Sequence, residues 1–521
     1  MRALFVVLFL ALGCQATAPA VDRSAEVLAP VRRSIGMAKR GSDDRRASLQ
    51  GVRERNGASI PIELSFWPKG AFQSRVGDGT AARERGFDGR EAWVTDERGV
   101  SRRQGLGSGE FLILEGWART QQWLSSPGSR RWSVSKDPAE SDTLRLTHRS
   151  SGALATVQLD PATSRPAQIA WQRHGQTRSL ALEDWTEQDG RWLPMTVTES
   201  VAGEVSFVDR FKSRERPAGS TGRRPASSPR DVTFSARGGS LPRSHVRFDR
   251  GGRAFVKASI DGQQDAWMLL DTGFGSHAIS RDLAETLALQ PVSSVALRGV
   301  GGEATTGRRR GDSLKVGQVT LQAPTFVELD TGFLSDRAGF TVDGVLGAPL
   351  FDRTLIVIDD LRGQIEVHDP DRFDGGDLAW QPVRFDGTAP CLPGRVRANG
   401  EDTPPLWFRL DTGSDDTLTM SRWAVRAHGL AGDRTGLAPR SLAGPFGEVE
   451  GWRTTASVVL LAGTNMGRHV ITLVRDDVPG PLSDPWIAGN AGTRLLRGQR
   501  SVLDLRSGRL AFVAPEEPVA E

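Results

Sequence analysis

Two aspartates in this chain end apolar runs and open the same three-residue phrase. Asp271 stands in AWMLLDTGFGS and Asp411 in LWFRLDTGSDD, 140 residues apart. A carboxylate that ends a buried strand can be held rigidly. The glycine two positions later (Gly273, Gly413) removes a side chain, so two such loops could approach closely. Two carboxylates brought to about 3 Å cannot both ionise readily, so one pKa rises and the pair shares a proton. Acid and base then come from identical side chains. One Asp takes a proton from a water and the other protonates or hydrogen-bonds a carbonyl, without a metal or a covalent acyl intermediate. Such a pair titrates as a unit, and the sequence assigns neither residue a fixed role.

The elements that must position these aspartates are themselves repeated. Gly299, Gly302 and Glu303 match Gly444, Gly447 and Glu448 at an offset of 145. DGVLGAPLFDRTLIVID matches AGNAGTRLLRGQRSVLD at the same offset, pairing Gly347 with Gly492, Val357 with Val502 and Asp359 with Asp504. A repeat this long predicts two similar lobes and excludes a short-period solenoid. Each lobe reads as mostly strands. AFVKASIDGQQDAWMLLD predicts a hairpin across Asp261-Gly262, and RTLIVID pairs with GQIEVHD across Leu361-Arg362-Gly363. Short helices are expected after Ser280 and Ser421, each serving as N-cap.

This region, from about Arg247 to Val513, resembles the aspartic peptidases, both the two-lobed pepsin type and the retroviral type assembled from single lobes. The resemblance implies a bilobal double β-barrel, catalytic Asp271 and Asp411, and an acidic optimum. Thr272 and Thr412 are implied to hydrogen-bond the opposing loop and lock the pair. Gly273, Gly413 and Ser414 are implied to support it. The hairpins at Gly299–Gly302 and Gly444–Gly447 become flap candidates, although as glycines they also suit ordinary turns. The cleft would take an extended peptide as an added strand.

The sequence departs from that pattern in places. Phe274 follows the first Asp-Thr-Gly where the family has a small residue, so Ser276 or a backbone N–H must support the carboxylate there. Arg409 interrupts the second apolar strand. Asn490-Ala491-Gly492 replaces the apolar-apolar-Gly turn of the first lobe, Val345-Leu346-Gly347. The chain has no tyrosine, hence no pepsin-type flap tyrosine. His277 reads as a surface residue after a turn.

The remaining sequence sets the context. The 521 residues carry a formal net charge of +4, too small for a nucleic-acid signal, and Arg308, Arg309 and Arg310 read as a solvated loop face. No His/Cys cluster suggests a metal, and no cofactor is expected. Residues 1–16 read as a signal peptide, with an apolar run too short to span a bilayer. Leu12-Gly13-Cys14 resembles a bacterial lipoprotein signal, making Cys14 a lipidation candidate. The alternative is ordinary secretion with cleavage after Ala16 or Ala18. Either way an exported bacterial protein is expected, periplasmic or anchored to the outer membrane. The other cysteine, Cys391, reads as an inert thiol.

Residues 17–50 read as a tether. Residues 51–211 show period-two alternation broken by turn residues, with one helix at EFLILEGWARTQQWL. Around DGRWLP this region resembles the helix-plugged β-barrel of lipoprotein-carrier proteins. Residues 212–240 are rich in Pro, Gly, Ser and Arg and read as a linker. Lobe 1 is expected over 241–375 and lobe 2 over 376–515. The fold expectation is therefore mainly β: a bilobal aspartic-peptidase-like double barrel preceded by a separate antiparallel β domain. The functional expectation is an endopeptidase acting on peptide or protein substrates, monomeric because both lobes share one chain. The alternatives are a catalytically silent peptide-binding module on the same fold, or a lipid or lipoprotein carrier centred on the amino-terminal domain.

Overall fold

The computed structural model describes residues 24–37, 47–55, 57–78, 82–188, 190–215, 229–236, 238–263, 265–299, 302–432, 436–444, 447–475 and 480–513. The leader and Cys14 lie outside these residues. Among the described residues no helix is long and apolar enough to cross a membrane.

Alternating residues in the amino-terminal half build a 13-stranded antiparallel sheet among the described residues, a meander whose neighbours in sequence pair in space. Helix Leu106–Thr120 connects its two arms and lies against it, burying Phe111, Leu114 and Trp117. This is the helix expected from EFLILEGWARTQQWL. The sheet's core is filled by that helix, by Trp132 and Trp171, and by ion pairs of Arg53 and Arg119 with Asp209 and of Arg85 with Glu115. The stretch read as a tether contributes to this core. Helix Ser24–Ser34 buries Leu28 and Val31, and strand Ala47–Arg55 buries Ala47 and Leu49. Its apolar residues fall three and four apart, a helical spacing masked by the charged residues around them.

The stretch read as a linker also contains structure. Val232–Phe234 adds to the edge of the lobe 1 sheet through Val319–Gln322, and Gly238–Ser240 pairs with Gln364–His368. Short segments with little to bury gain their order from the sheet edges they complete.

The two lobes repeat one topology. In lobe 1, strand Asp265–Leu270 pairs antiparallel with Ala254–Ile260 across the expected Asp261-Gly262 turn, and parallel with Gly344–Leu346. In lobe 2, Leu406–Leu410 pairs antiparallel with Ala389–Ala398 and parallel with Gly489–Ala491. The Asn490 turn therefore keeps the register of its lobe 1 counterpart, and Ala491 is fully buried. Strand His277–Ile279 crosses over Gly344–Leu346 as Leu418–Met420 crosses over Gly489–Ala491.

A six-stranded sheet joins the lobes. At its centre Leu355–Asp359 runs antiparallel to Arg500–Asp504, and Val357 faces Val502. These two residues are equivalents in the sequence repeat, so a pseudo-twofold axis passes between them. Both are fully buried, and burying each such side chain contributes roughly 1.5–3 kcal/mol.

The amino-terminal domain packs against the lobes. Trp486 and Ile487 of lobe 2 lie in its core, and Trp486 sits 4.4 Å from the His148 ring. On the lobe 1 side, Arg353 bonds both Asp96 and Asp231, while Arg102 pairs with Asp352.

Candidate active site

Each Asp-Thr-Gly begins where a buried strand ends at the pseudo-twofold axis. The strands Asp265–Leu270 and Leu406–Leu410 end in Leu270 and Leu410, about 1% exposed or less, because both faces are covered. The next residues turn toward the opposing lobe. There the two threonines form a reciprocal lock. The Thr272 amide donates to Thr412 Oγ1 at 3.0 Å, and Thr272 Oγ1 donates to the Leu410 carbonyl at 2.7 Å. The Thr412 amide donates to Thr272 Oγ1 at 3.1 Å, and Thr412 Oγ1 to the Leu270 carbonyl at 2.9 Å. All four bonds are buried, where each unmade one would cost about 1–3 kcal/mol.

The lock sets the carboxyls of Asp271 and Asp411 each against the opposing loop's glycine. A Cβ on Gly413 would lie 2.3 Å from Asp271 Oδ2, and one on Gly273 would lie 2.8 Å from Asp411 Oδ1. Only glycine allows these approaches. The two carboxyls lie close enough for each to shift the other's titration. Each keeps an opening to the cleft, being half-buried by exposed surface, but protein encloses its other sides.

The surroundings of the two carboxyls differ. Asp271 Oδ1 accepts from the Gly273 amide at 2.7 Å. Burial, and then the facing Asp411 carboxylate, push Asp271 well above the ordinary carboxylate range. Asp411 is also raised by burial, but it is held down by the Gly413 amide, the Arg409 guanidinium and the Ser414 amide. Its Oδ1 accepts from Gly413 N at 3.2 Å and Ser414 N at 3.1 Å, and its Oδ2 from Asn490 Nδ2 at 3.2 Å. Asp411 has the larger set of donors, which favours the charge there and the shared proton on Asp271.

The residues that departed from the expected pattern have definite places. At Phe274 the backbone suffices: the Gly273 amide supports the carboxylate, and the Phe274 carbonyl accepts from Ala348 N at 2.8 Å. Ser414 supports Asp411 through its amide, while its hydroxyl accepts from Asp416 N at 3.4 Å. Arg409 turns away from the dyad to the fully buried Asp386, which it meets at 2.5 Å. Asp386 also accepts from Arg173 at 2.7 Å and from the Ser108 hydroxyl at 2.6 Å, both in the amino-terminal domain. Asn490, which replaces Val345 of the first lobe, is a polar neighbour of the dyad that the sequence reading missed. The signal was an amide in the middle of a buried strand.

The flap candidates close two hairpins, one per lobe. Gly299 pairs with Gly302 and Gly444 with Gly447 at their tips. Gly480 of lobe 2 lies against the Gly299 carbonyl, and its amide donates to His174 O of the amino-terminal domain at 3.2 Å. Arg308 and Arg309 lie on a flap strand, not in a loop; Arg308 pairs with Glu97 and Arg309 with Glu328. His277 is 1% exposed, not at the surface, because strand His277–Ile279 is inserted between two others.

His174, Asp386 and Asp484 form the one grouping among the described residues with metal-ligand spacing. Arg173 and Arg409 already neutralise it, and burial pushes His174 down to about 3. Cys391, fully buried, is pushed upward by burial and by Asp386, consistent with an unreactive thiol.

Residues 256–350 match the family model described as Aspartyl protease. This segment is similar to aspartyl protease domains. It runs from within strand Ala254–Ile260 into helix Ala348–Phe351, and so includes the first Asp-Thr-Gly and the Gly299–Gly302 hairpin. No curated protein matches the chain. The second lobe repeats the strand pairings around the first Asp-Thr-Gly and supplies the facing aspartate.

Proposed function

We propose that this chain is an aspartic-type endopeptidase whose catalytic dyad is complete within a single polypeptide. The observation that carries this reading is the reciprocal Thr272–Thr412 lock, which sets Asp271 and Asp411 each against the opposing loop. Asp411, the anion, takes a proton from a water held between the carboxyls. The oxygen attacks the carbonyl carbon of a peptide bond lying across the cleft. Asp271 gives its proton to the carbonyl oxygen, and the tetrahedral diol collapses with proton transfer to the leaving nitrogen. The flaps shield this step from bulk water. The substrate backbone pairs with the flap edges as an added strand, so extended or unfolded segments are preferred. The apolar run in residues 1–16 supports export as part of this reading, with Cys14 as the lipidation candidate.

Phe274 and Asn490, as departures from the family pattern, are the residues that would favour a catalytically silent binder. Both now have roles compatible with catalysis, since the backbone supports Asp271 and Asn490 donates to Asp411. The test is cleavage of denatured casein by the purified chain between pH 3 and 7, with and without pepstatin. Acid-favoured cleavage that pepstatin blocks is expected. No cleavage across that range, with the protein folded, would leave only a binding role.

A further inference from the structure

Each lobe opens with a short hairpin whose turn leans on the other lobe's active-site loop. In lobe 1, strand Val246–Phe248 pairs with Ala254–Ile260, and in lobe 2, Arg384–Asp386 pairs with Ala389–Ala398. A Cβ on Gly251 of the first turn would lie 2.5 Å from Asp415 Cβ. Thr493 ties this contact down, its Oγ1 lying 2.9 Å from the Gly251 carbonyl oxygen and 3.0 Å from that of Ser414. In the mirror contact, a Cβ on Gly275 would lie 2.9 Å from Thr388 Oγ1 of the second turn. Gly275 and Asp415 are equivalents, each at the same step past its dyad aspartate.

The two turns are held differently. The lobe 1 turn is self-contained. Asp249 accepts from the Gly251 amide at 2.8 Å, from the Arg253 amide at 2.9 Å and from Arg253 Nε at 2.6 Å. The lobe 2 turn is held from outside. Arg409 is the lobe 2 donor to the Asp386 carboxylate, and among the described residues its other donors belong to the amino-terminal domain. Ser108 donates through its amide at 3.0 Å and its hydroxyl at 2.6 Å, and Arg173 donates at 2.7 Å. The Gly105 amide donates to the Phe385 carbonyl at 2.8 Å, and the Gln104 side chain to the Gly387 carbonyl at 2.9 Å. Gln104 to Ser108 lead into helix Leu106–Thr120, so the start of one rigid element grips the three residues ahead of Thr388.

The same domain holds a second lobe 2 segment on which lobe 1 rests. Trp486 and Ile487 lie in its core, and the Gly480 amide donates to the His174 carbonyl at 3.2 Å. A Cβ on Gly480 would lie 3.0 Å from the Gly299 carbonyl oxygen, at the tip of the lobe 1 hairpin.

We propose that the amino-terminal domain is a built-in support of the active site, acting through lobe 2 on the active-site loop and flap hairpin of lobe 1, with Ser108, Arg173 and Thr388 as positioning residues. It rests on reading Asp271 and Asp411 as a catalytic dyad. Without the domain, the Asp386 carboxylate keeps only Arg409, and Thr388 is no longer fixed against the loop that carries Asp271. The domain is therefore required for cleavage, and is not a segment whose removal starts it.

Full-length wild-type, Arg173→Met and Thr388→Ala proteins are compared by hydrogen exchange with mass spectrometry, at a temperature where circular dichroism shows all three folded. Arg173→Met loosens the turn from the domain side. Thr388→Ala removes the hydroxyl beside Gly275 and leaves the domain contacts whole. In both variants the amides of 271–279 are expected to exchange about tenfold faster than in the wild type, while those of 411–420, resting on the self-contained turn, keep the wild-type rate. In Arg173→Met the strand 290–299 is expected to accelerate as well. Equal acceleration of the two loops would mean a general loss of stability, and an unchanged 271–279 would mean that the turn does not hold the loop. Either result overturns the proposal. Casein cleavage near pH 4 is expected to fall about tenfold in both variants, since a displaced catalytic group loses its alignment; unchanged cleavage in both also overturns it. A wild-type chain that does not cleave casein would sink the proposed function instead, and the difference between the two loops would still report whether the domain holds the Asp271 loop.

Discussion

Thr272 and Thr412 exchange amide-to-hydroxyl hydrogen bonds at 3.0 and 3.1 Å across the pseudo-twofold axis. Each threonine also ties its hydroxyl to a carbonyl at the end of the other lobe's strand. Replacing either by Val keeps the volume but removes that hydroxyl and strands its buried partners. Each single substitution is expected to cost about 2–4 kcal/mol, from two buried bonds at 1–3 kcal/mol each with some relaxation. The double variant is expected to cost less than the sum, because both changes break one network. Denaturant unfolding of the four proteins checks this.

Asp271 binds its proton more tightly in the folded protein than in the unfolded chain, because burial and Asp411 raise it. Between the unfolded pKa, about 4, and the raised folded value, the native state holds a proton that the unfolded state has lost. Stability therefore falls as pH rises through that window. Asp271→Asn removes the titration. The variant is expected to melt near the wild-type temperature below about pH 4 and increasingly above it toward pH 7. A melting series over pH reads this directly.

Asn490 donates to Asp411 Oδ2 at 3.2 Å, where the first lobe has Val345. Asn490→Val copies the first lobe's residue and removes one donor to the anion. The catalytic anion should become easier to protonate. The acid limb of kcat/KM is expected to move to higher pH, with a loss of about 10–100-fold, from 1.5–3 kcal/mol for a hydrogen bond to a charged group. An unchanged acid limb would show that Asn490 only packs.

Asp386 is fully buried between Arg409 of lobe 2 and Arg173 of the amino-terminal domain. Removing one partner of a buried pair leaves an uncompensated charge, so Arg409→Leu is expected to destabilise the chain by about 3–5 kcal/mol. Arg173→Ala breaks the same cluster from the other domain. It is expected to split a single calorimetric transition into two, as the amino-terminal domain uncouples from the lobes.

The sequence carried the repeat, the two dyad loops and both hairpin tips, because each depends on short-range features: an apolar run, a glycine, a turn. Long-range partners were not legible. Arg409 in an apolar strand reads as a defect until Asp386 and Arg173 are seen on either side of it. His277 follows a turn and looks exposed, yet sheet crossing buries it. Leu28 and Val31 lie in a charged stretch whose overall composition hides a single buried helix face. Periodicity reports which side of an element faces inward, not what it meets there.

The central claim is that Asp271 and Asp411 act as one dyad. Asp271→Asn and Asp411→Asn, each made alone, test it most directly when assayed on denatured casein near pH 4 alongside folded wild-type protein. Each single change is expected to lower cleavage by at least about 1,000-fold, since neither carboxyl can supply both acid and base. Cleavage that survives either substitution near the wild-type rate would show that the two aspartates do not work as a pair.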